Sequence, residues 1–377
     1  MLIKEVKAEK IPDSRGEPTI KVTIDGVSAS APSGKSKGKY ETKSYNASLD
    51  LSIEEINKLD LNLEINKFED LKKLENFLCK KYNYRNARQF GANALFALES
   101  AILKALAKSK NKQLWQIVNP KARKFPVPVG NAVGGGLHSS KFKVHPIFQE
   151  FLIIPNEKTF KDNVNSMKKV FEQIGAILNA EDKNDEGAWQ VPLNNKEVLD
   201  IMVKFKDKVR LGLDVASSSF FRNDLYSYNS KSLDRESQIQ YMNNLIDKCD
   251  IFYLEDPMQE EDFMGFSQIK KKNLVVGDDL TATQVPRLKE AIKHNSINAM
   301  IIKPNQNGSL LELKKVFDLC QANNIKTILS HRSGETMDVA LADYAFAFGA
   351  DYIKCGISTA FREAKLKRMI EIESNLR

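Results

Sequence analysis

Short apolar segments alternate with longer amphipathic segments through the C-terminal two thirds of the chain. Each apolar segment ends in a polar or charged residue, which is typical of a buried strand that reaches solvent at its carboxyl end. The longer segments carry apolar residues at spacings of three and four, which predicts helices. Strands are predicted at 151–154, 209–214, 251–255, 274–278, 299–303, 327–331 and 351–354, and helices at 235–248, 285–293, 310–322 and 335–348.

Repetition of a strand followed by a helix predicts a parallel sheet. Residues 125–377 approach the roughly 250 residues of an eight-stranded barrel, and the charged strand ends fall where barrel enzymes assemble their sites. Ser309 precedes the helix predicted at 310–322, and serine is a favoured helix cap. We therefore predict an α/β fold with a TIM-type barrel domain over residues 123–377.

The first 120 or so residues follow a different pattern. Strands are predicted at 2–9 and 19–25, and helices rich in Ala and Leu at 86–117. A Gly/Ser loop at 31–40 lies between them, where composition alone predicts a surface loop. We predict a smaller N-terminal α+β domain over residues 1–122.

Composition narrows the class of protein without identifying it. Lys and Arg outnumber Asp and Glu by 57 to 49, so the formal net charge is +8, which favours anionic partners. The lysines are nevertheless dispersed and lack the aromatic-interleaved pattern of nucleic-acid-binding proteins. No uncharged apolar run approaches the roughly 18 residues of a spanning helix, and the N-terminus lacks a signal-peptide pattern. We predict a cytoplasmic protein with no membrane span and no obligatory nucleic-acid partner.

Three carboxylates end successive predicted strands, at Asp214, Glu255 and Asp278. At one barrel rim these charges would repel each other unless a divalent cation neutralised them, and an all-oxygen set favours Mg²⁺ over zinc. Lys303 and Lys354 end later strands, where a nearby cation would lower the pKa of a lysine and let it serve as a base. Binding phosphate and forming salt bridges are the alternatives for both lysines.

A set of short motifs is spread over nearly the whole chain. The motifs are Asp13-Ser-Arg-Gly-Glu-Pro-Thr19, Gly91-Ala-Asn-Ala94, Gln149-Glu-Phe151, Asp185-Glu-Gly187, Leu213-Asp-Val215, Leu254-Glu-Asp-Pro257, Gly277-Asp-Asp-Leu-Thr281 and Ser330-His-Arg-Ser-Gly-Glu-Thr336. In these motifs and in their order, the sequence resembles the enolase family. The resemblance implies reversible, Mg²⁺-dependent dehydration of 2-phosphoglycerate to phosphoenolpyruvate, in glycolysis and gluconeogenesis. It also implies a modified (β/α)8 barrel whose early strands are not all parallel.

Two Mg²⁺ ions for each active site follow from the resemblance. It implies that Asp214, Glu255 and Asp278 bind the first ion and that Ser36, in the Gly/Ser loop, binds the second. Asp279 is adjacent to Asp278, and the sequence leaves the choice between them open, with Asp278 preferred because it closes the apolar segment at 274–277.

The resemblance also assigns residues to the reaction and to substrate binding. Lys303 is implied as the base that removes the proton next to the substrate carboxylate. Glu186 is implied as the acid that protonates the departing hydroxide, with Glu150 beside it. The implied substrate-binding residues are Lys354 for the carboxylate, Arg332 and Ser333 for the phosphate, and His331 and His138 lining the site.

Departures from the family pattern lie in two loops. Lys35 and Lys37 replace small or uncharged residues beside Ser36, and bulky Trp189 follows the acid segment. Two other functions therefore stay open: a divergent superfamily enzyme for another phosphorylated carboxylate, and a catalytically idle paralogue that binds RNA or a surface.

A homodimer or larger homo-oligomer is expected, with Lys21 of one subunit facing Glu371 of another.

Overall fold

The N-terminal part is an antiparallel sheet covered by helices. In this computed structural model, the described residues are 1–35, 38–136, 139, 142–229 and 231–376. The three strands pair in chain order, and the fully buried central part of α3 packs on two of them, as its Ala- and Leu-rich sequence predicts. The elements are β1 (Val6–Pro12), β2 (Pro18–Ile24), β3 (Val27–Ser30), α1 (Leu49–Asn57), α2 (Leu71–Tyr82), α3 (Ala92–Ser109) and α4 (Leu114–Val118).

Eight further strands close into a barrel, which confirms the predicted fold class. They follow the order β4, β5, β6, β10, β11, β12, β13, β14 and back to β4, and a small sheet of β7, β8 and β9 lies between β6 and β10 in the chain. The strands are β4 (Val127–Gly134), β5 (Glu150–Ile154), β6 (Arg210–Asp214), β7 (Phe221–Arg222), β8 (Leu225–Ser227), β9 (Ser232–Leu233), β10 (Ile251–Glu255), β11 (Leu274–Gly277), β12 (Ala299–Ile302), β13 (Lys326–Ser330) and β14 (Tyr352–Lys354).

Strand β5 runs against both of its neighbours, whereas the other barrel pairs are parallel. The barrel is therefore of the modified kind that the resemblance implied. Because β5 is reversed, its first residue reaches the rim where the other strands end. Glu150 accordingly pairs with Asp214 of β6, and Asp214 pairs with Glu255 of β10.

Helices follow most barrel strands and bury their apolar faces on the barrel. The Ser309 side chain accepts a hydrogen bond from the Glu312 amide, as expected of a helix cap. The helices are α5 (Phe160–Leu178), α6 (Asn195–Met202), α7 (Arg235–Cys249), α8 (Phe263–Ser267), α9 (Val285–Lys293), α10 (Pro304–Asn307), α11 (Leu310–Ala322), α12 (Ala340–Ala347) and α13 (Ala360–Leu376). Short 3₁₀ turns lie at Phe68–Asp70, Ala87–Phe90, Val203–Phe205 and Ser217–Phe220.

One predicted helix, at 335–348, is shorter than the sequence pattern suggested. It begins at Ala340, because polar residues before it bind other parts of the protein instead of continuing the helix. Asp338, for example, accepts hydrogen bonds from Lys104 at 2.6 Å and from the Ser30 amide at 3.0 Å, which joins the barrel to the N-terminal domain. Within the described ranges, no helix combines the length and apolar character needed to cross a membrane.

Candidate active site

A cavity of about 360 Å³ opens at the barrel rim where the parallel strands end. Residues 34, 38, 39 and 41 of the N-terminal domain line one side of it. Ser36 and His138 lie outside the described residues, and Glu255 is fully buried behind the cavity wall. The other predicted site residues all line this cavity: Glu150, Glu186, Asp214, Asp278, Lys303, His331, Arg332, Ser333 and Lys354.

Lys354, at the end of β14, lies among three carboxylates from the neighbouring rim positions. Its Nζ is 2.7 Å from Glu150 Oε2, 3.2 Å from Asp214 Oδ2 and 2.8 Å from Glu255 Oε2. Burial alone would lower the pKa of Lys354, but these negative charges raise it well above its usual range. Tyr253 also donates a hydrogen bond to Glu255 at 2.5 Å. Lys354 is therefore a charged group that offsets part of the negative charge on this side of the cavity.

Lys303 follows β12 and contacts a different carboxylate, with 2.5 Å between its Nζ and Asp278 Oδ2. Burial would lower the pKa of Lys303, but the Asp278 charge outweighs it and raises the pKa above the usual lysine range. The sequence argument expected a lowered pKa only where a cation lies beside the lysine, and that expectation stays a prediction. Without an ion, the nearest charge to Lys303 is the Asp278 carboxylate.

A cluster of three carboxylates, from Asp256, Asp278 and Asp279, lies beside Lys303. One oxygen from each can lie within 4.8 Å of the others, which is compatible with a shared metal ion. Asp256 accepts hydrogen bonds from the amides of Asp278 and Asp279, at 2.9 and 2.8 Å, and so orients both residues. Burial and the neighbouring charge of Asp278 raise the pKa of Asp279 to about 7.

The donor set at this rim fits a hard cation. It consists of carboxylate oxygens, which Mg²⁺ prefers, and the buried Asp278 Oδ1 has no hydrogen-bond partner among the described residues. Buried polar atoms normally have a partner, so this oxygen is available to a ligand. Asp278 belongs both to the predicted ligand set and to the observed cluster. Asp256 was not predicted as a site residue, although it lies in the quoted Leu254-Glu-Asp-Pro257 motif.

Glu150 and Glu186 both line the cavity with their side chains in contact, and both are nearly inaccessible to solvent. Burial raises the pKa of Glu150 to about 7; Lys354 opposes this rise and Glu186 adds to it. The acid segment itself is held by Asn184, whose Oδ1 accepts the Glu186 amide at 3.0 Å. The raised pKa of Glu150 therefore reflects both its burial and the second carboxyl group beside it.

On the opposite side, Arg332 and Ser333 follow β13. Arg332 forms a bidentate ion pair with Glu41, with nitrogen to oxygen distances of 2.9 and 3.1 Å. No local sequence signal pointed to Glu41, because the two residues are 291 positions apart. Ser333 Oγ accepts the Lys35 amide at 2.7 Å, which brings the Gly/Ser loop to this side of the site. A guanidinium and a hydroxyl together suit phosphate oxygens.

His331 is buried beside these residues. Burial lowers the pKa of His331 well below its usual range, and the Arg362, Lys354 and Lys303 charges lower it further. The imidazole is therefore neutral at physiological pH, and it serves as a polar wall of the cavity instead of a charged one.

Known sequence families match both parts of the chain. The enolase N-terminal domain matches residues 3–118, and the enolase C-terminal TIM barrel domain matches residues 122–377. The enolases of Ehrlichia ruminantium strain Gardel and Methanosphaera stadtmanae are each 35% identical, over 99% and 100% of this chain and 96% and 97% of their own lengths. The enolase of Sulfurisphaera tokodaii is 33% identical, over 99% of this chain and 96% of its own. The chain thus belongs to the enolase family and is a lyase of the phosphopyruvate hydratase type.

Proposed function

We propose that the protein interconverts 2-phosphoglycerate and phosphoenolpyruvate through Lys303 as base and Glu186 as acid, and that it does so in the cytoplasm. The observation that carries this assignment is that one cavity holds both groups together with Arg332 and Ser333. An amine, a carboxyl group and a phosphate-binding pair are the groups that a proton abstraction followed by loss of hydroxide from a phosphorylated acid requires.

Two Mg²⁺ ions complete the proposed site. We assign Asp214, Glu255 and Asp278 to the first and Ser36 to the second, and the unpartnered Asp278 Oδ1 supports the first assignment. When bound, the ions would supply positive charge to the substrate carboxylate as it gains a second negative charge. Use of a lysine base together with Mg²⁺ is a known property of the enolase superfamily.

Lys303 removes the proton from C2 in this scheme, and Glu186 delivers a proton to the hydroxyl that leaves C3. The contact between Glu150 and Glu186 supports the second role, because it places a second buried carboxyl group within hydrogen-bond reach of the proposed acid. Lys354 binds the substrate carboxylate, and its position among acidic residues keeps it charged for this purpose.

Phosphate binding falls to Arg332 and Ser333, with His331 and His138 as walls of the site. Arg332 would exchange Glu41 for phosphate oxygens on substrate binding, because the guanidinium already presents two donors toward the cavity.

An assay of phosphoenolpyruvate formation from 2-phosphoglycerate tests the proposal. We expect turnover with added Mg²⁺, loss of turnover with a chelator, and recovery when Mg²⁺ is restored. The Lys303→Ala variant, measured at the same protein concentration, is the control for contaminating activity. Formation of the product at equal rates by the wild type and this variant would contradict the assignment.

We also propose a homodimer in which Lys21 meets Glu371 of a second copy. Within one chain, Lys21 Nζ is 2.7 Å from Glu9 Oε1 and Glu371 Oε2 is 3.4 Å from Arg368, so both residues already have partners of opposite charge. Dimer dissociation measured by sedimentation tests this contact. Lys21→Glu should weaken the dimer, and adding Glu371→Lys should restore it. Equal dissociation of the single and double variants would show that the residues do not meet.

A further inference from the structure

Arg362, in the first turn of α13, is a buried cation whose hydrogen-bonding groups are only partly satisfied. Its side chain has no solvent exposure, and its Nε and Nη1 have no hydrogen-bond partner among the described residues. Burial of an incompletely bonded charge is costly. A positive charge near a helix N-terminus is also disfavoured by the helix dipole. Stability alone therefore disfavours an arginine at this position.

Its remaining nitrogen contacts two loops of the active site at once. Arg362 Nη2 lies 2.8 Å from the carbonyl oxygen of Ser333 and 3.4 Å from that of Asp185. Ser333 is one of the proposed phosphate ligands, and Asp185 immediately precedes the proposed acid, Glu186. One atom thus links the backbone that presents the phosphate site to the backbone that presents the acid.

Neighbouring residues of the same segment reinforce each side of this link. Ser358 Oγ donates to the Gly187 carbonyl oxygen at 2.8 Å, on the acid side. Lys365 lies 2.7 Å from Glu335, which in turn accepts the Arg332 amide at 3.1 Å, on the phosphate side. Each of these contacts holds one loop only, as far as the described residues show. Among the described residues 358–365, Arg362 is the one that hydrogen-bonds to both loops.

We infer that Arg362 is a positioning residue, which fixes the distance between the phosphate-binding loop and Glu186. This inference rests on the proposed function. In 2-phosphoglycerate the phosphate and the leaving hydroxyl are on adjacent carbons, so their separation is confined to a narrow range, and the two loops must match it. Removal of the C2 proton by Lys303 does not require that match. Loss of Arg362 should therefore slow dehydration much more than it slows proton removal.

The test compares two rates in Arg362→Gln: formation of phosphoenolpyruvate, and exchange of the C2 proton of 2-phosphoglycerate with deuterated solvent. A misplacement near 1 Å costs on the order of 100-fold in rate, so we expect about this loss in dehydration and less than about a fivefold loss in exchange. The conservative variant Arg362→Lys keeps the charge but not the planar guanidinium, and should lie between the wild type and Arg362→Gln.

Lys365→Gln is the matched control, because Lys365 is a buried cation of the same helix that contacts the phosphate side. Its dehydration and exchange rates should fall together. Parallel losses in Arg362→Gln as well would overturn the inference and leave the proposed function intact, whereas an inactive wild type would overturn the proposed function itself. If Arg362→Gln does not fold, the ratio of the two rates in Arg362→Lys decides by the same criterion.

Discussion

Replacing Gly175 by alanine should lower the free energy of unfolding when residue 189 is tryptophan. The same replacement should raise it when residue 189 is phenylalanine. Gly175 lies inside α5, against the indole of Trp189. A Cβ at Gly175 would lie 2.4 to 2.6 Å from three atoms of that ring, closer than real contacts allow. The ring has little room to move, because it stacks on Phe171 with 5.0 Å between centroids and donates to the Phe171 carbonyl oxygen at 3.0 Å.

Two opposing terms set the magnitude. Alanine is favoured over glycine in a helix interior by about 1 kcal/mol. Overpacking of a buried site costs about 1 to 3 kcal/mol. With Trp189 present, Gly175→Ala should therefore lower the free energy of unfolding by about 1 kcal/mol. In the Trp189→Phe background the second fused ring is missing, so the overlap between the alanine Cβ and the ring disappears. Gly175→Ala should then raise the free energy of unfolding by about 1 kcal/mol.

Urea unfolding of the wild type, the two single variants and the double variant measures this cycle. A coupling energy of about 2 kcal/mol is expected from the opposite signs. If Gly175→Ala has the same effect in both backgrounds, the contact between Gly175 and Trp189 does not limit packing, and the reasoning fails.

Two other predictions concern charge. Glu150→Gln should remove a pH dependence, because a carboxyl pKa raised from 4.5 to about 7 on folding stabilises the protein at low pH and loses that contribution as the pH rises through 7. In urea unfolding without metal, the free energy of unfolding of the wild type should fall by up to about 3 kcal/mol relative to that of the variant between pH 4.5 and 8. A difference between the two proteins that does not change with pH would refute this. Lys35 Nζ lies 3.5 Å from Asp185, with both side chains about half exposed, so Lys35→Ala should raise the substrate KM less than about fivefold, and more at low than at high ionic strength. Equal KM ratios at both salt concentrations would show that this charge does not act on the substrate.

Much of the fold is predictable from local pattern, because buried parallel strands are continuous apolar segments. The strand Ile251–Glu255 and the helices Val285–Lys293 and Leu310–Ala322 have the predicted bounds. Helices α5 and α13 were not predicted. The helix expected at 335–348 began late because long-range contacts of Asp338 compete with helix formation. The domain division between residues 122 and 123 stays a prediction.

Site residues could be predicted from the sequence where they lie at the end of a strand or within a family motif. Pairing across the chain was not: neither the contact of Arg332 with Glu41 nor the carboxylate beside Lys303 has a local signal. The sequence showed that Trp189 is bulky but not that Gly175 provides its space. The roles of the predicted site residues stay predictions, and Ser36 and His138 lie outside the described residues.

Exchange of the C2 proton of 2-phosphoglycerate with solvent, in Glu186→Gln and Lys303→Ala with Mg²⁺ present, tests the division between acid and base most directly. Both variants should fail to form phosphoenolpyruvate. Glu186→Gln should still exchange the proton, because Lys303 remains to remove it, whereas Lys303→Ala should not. Loss of exchange in Glu186→Gln as complete as in Lys303→Ala would contradict the assignment of these two roles.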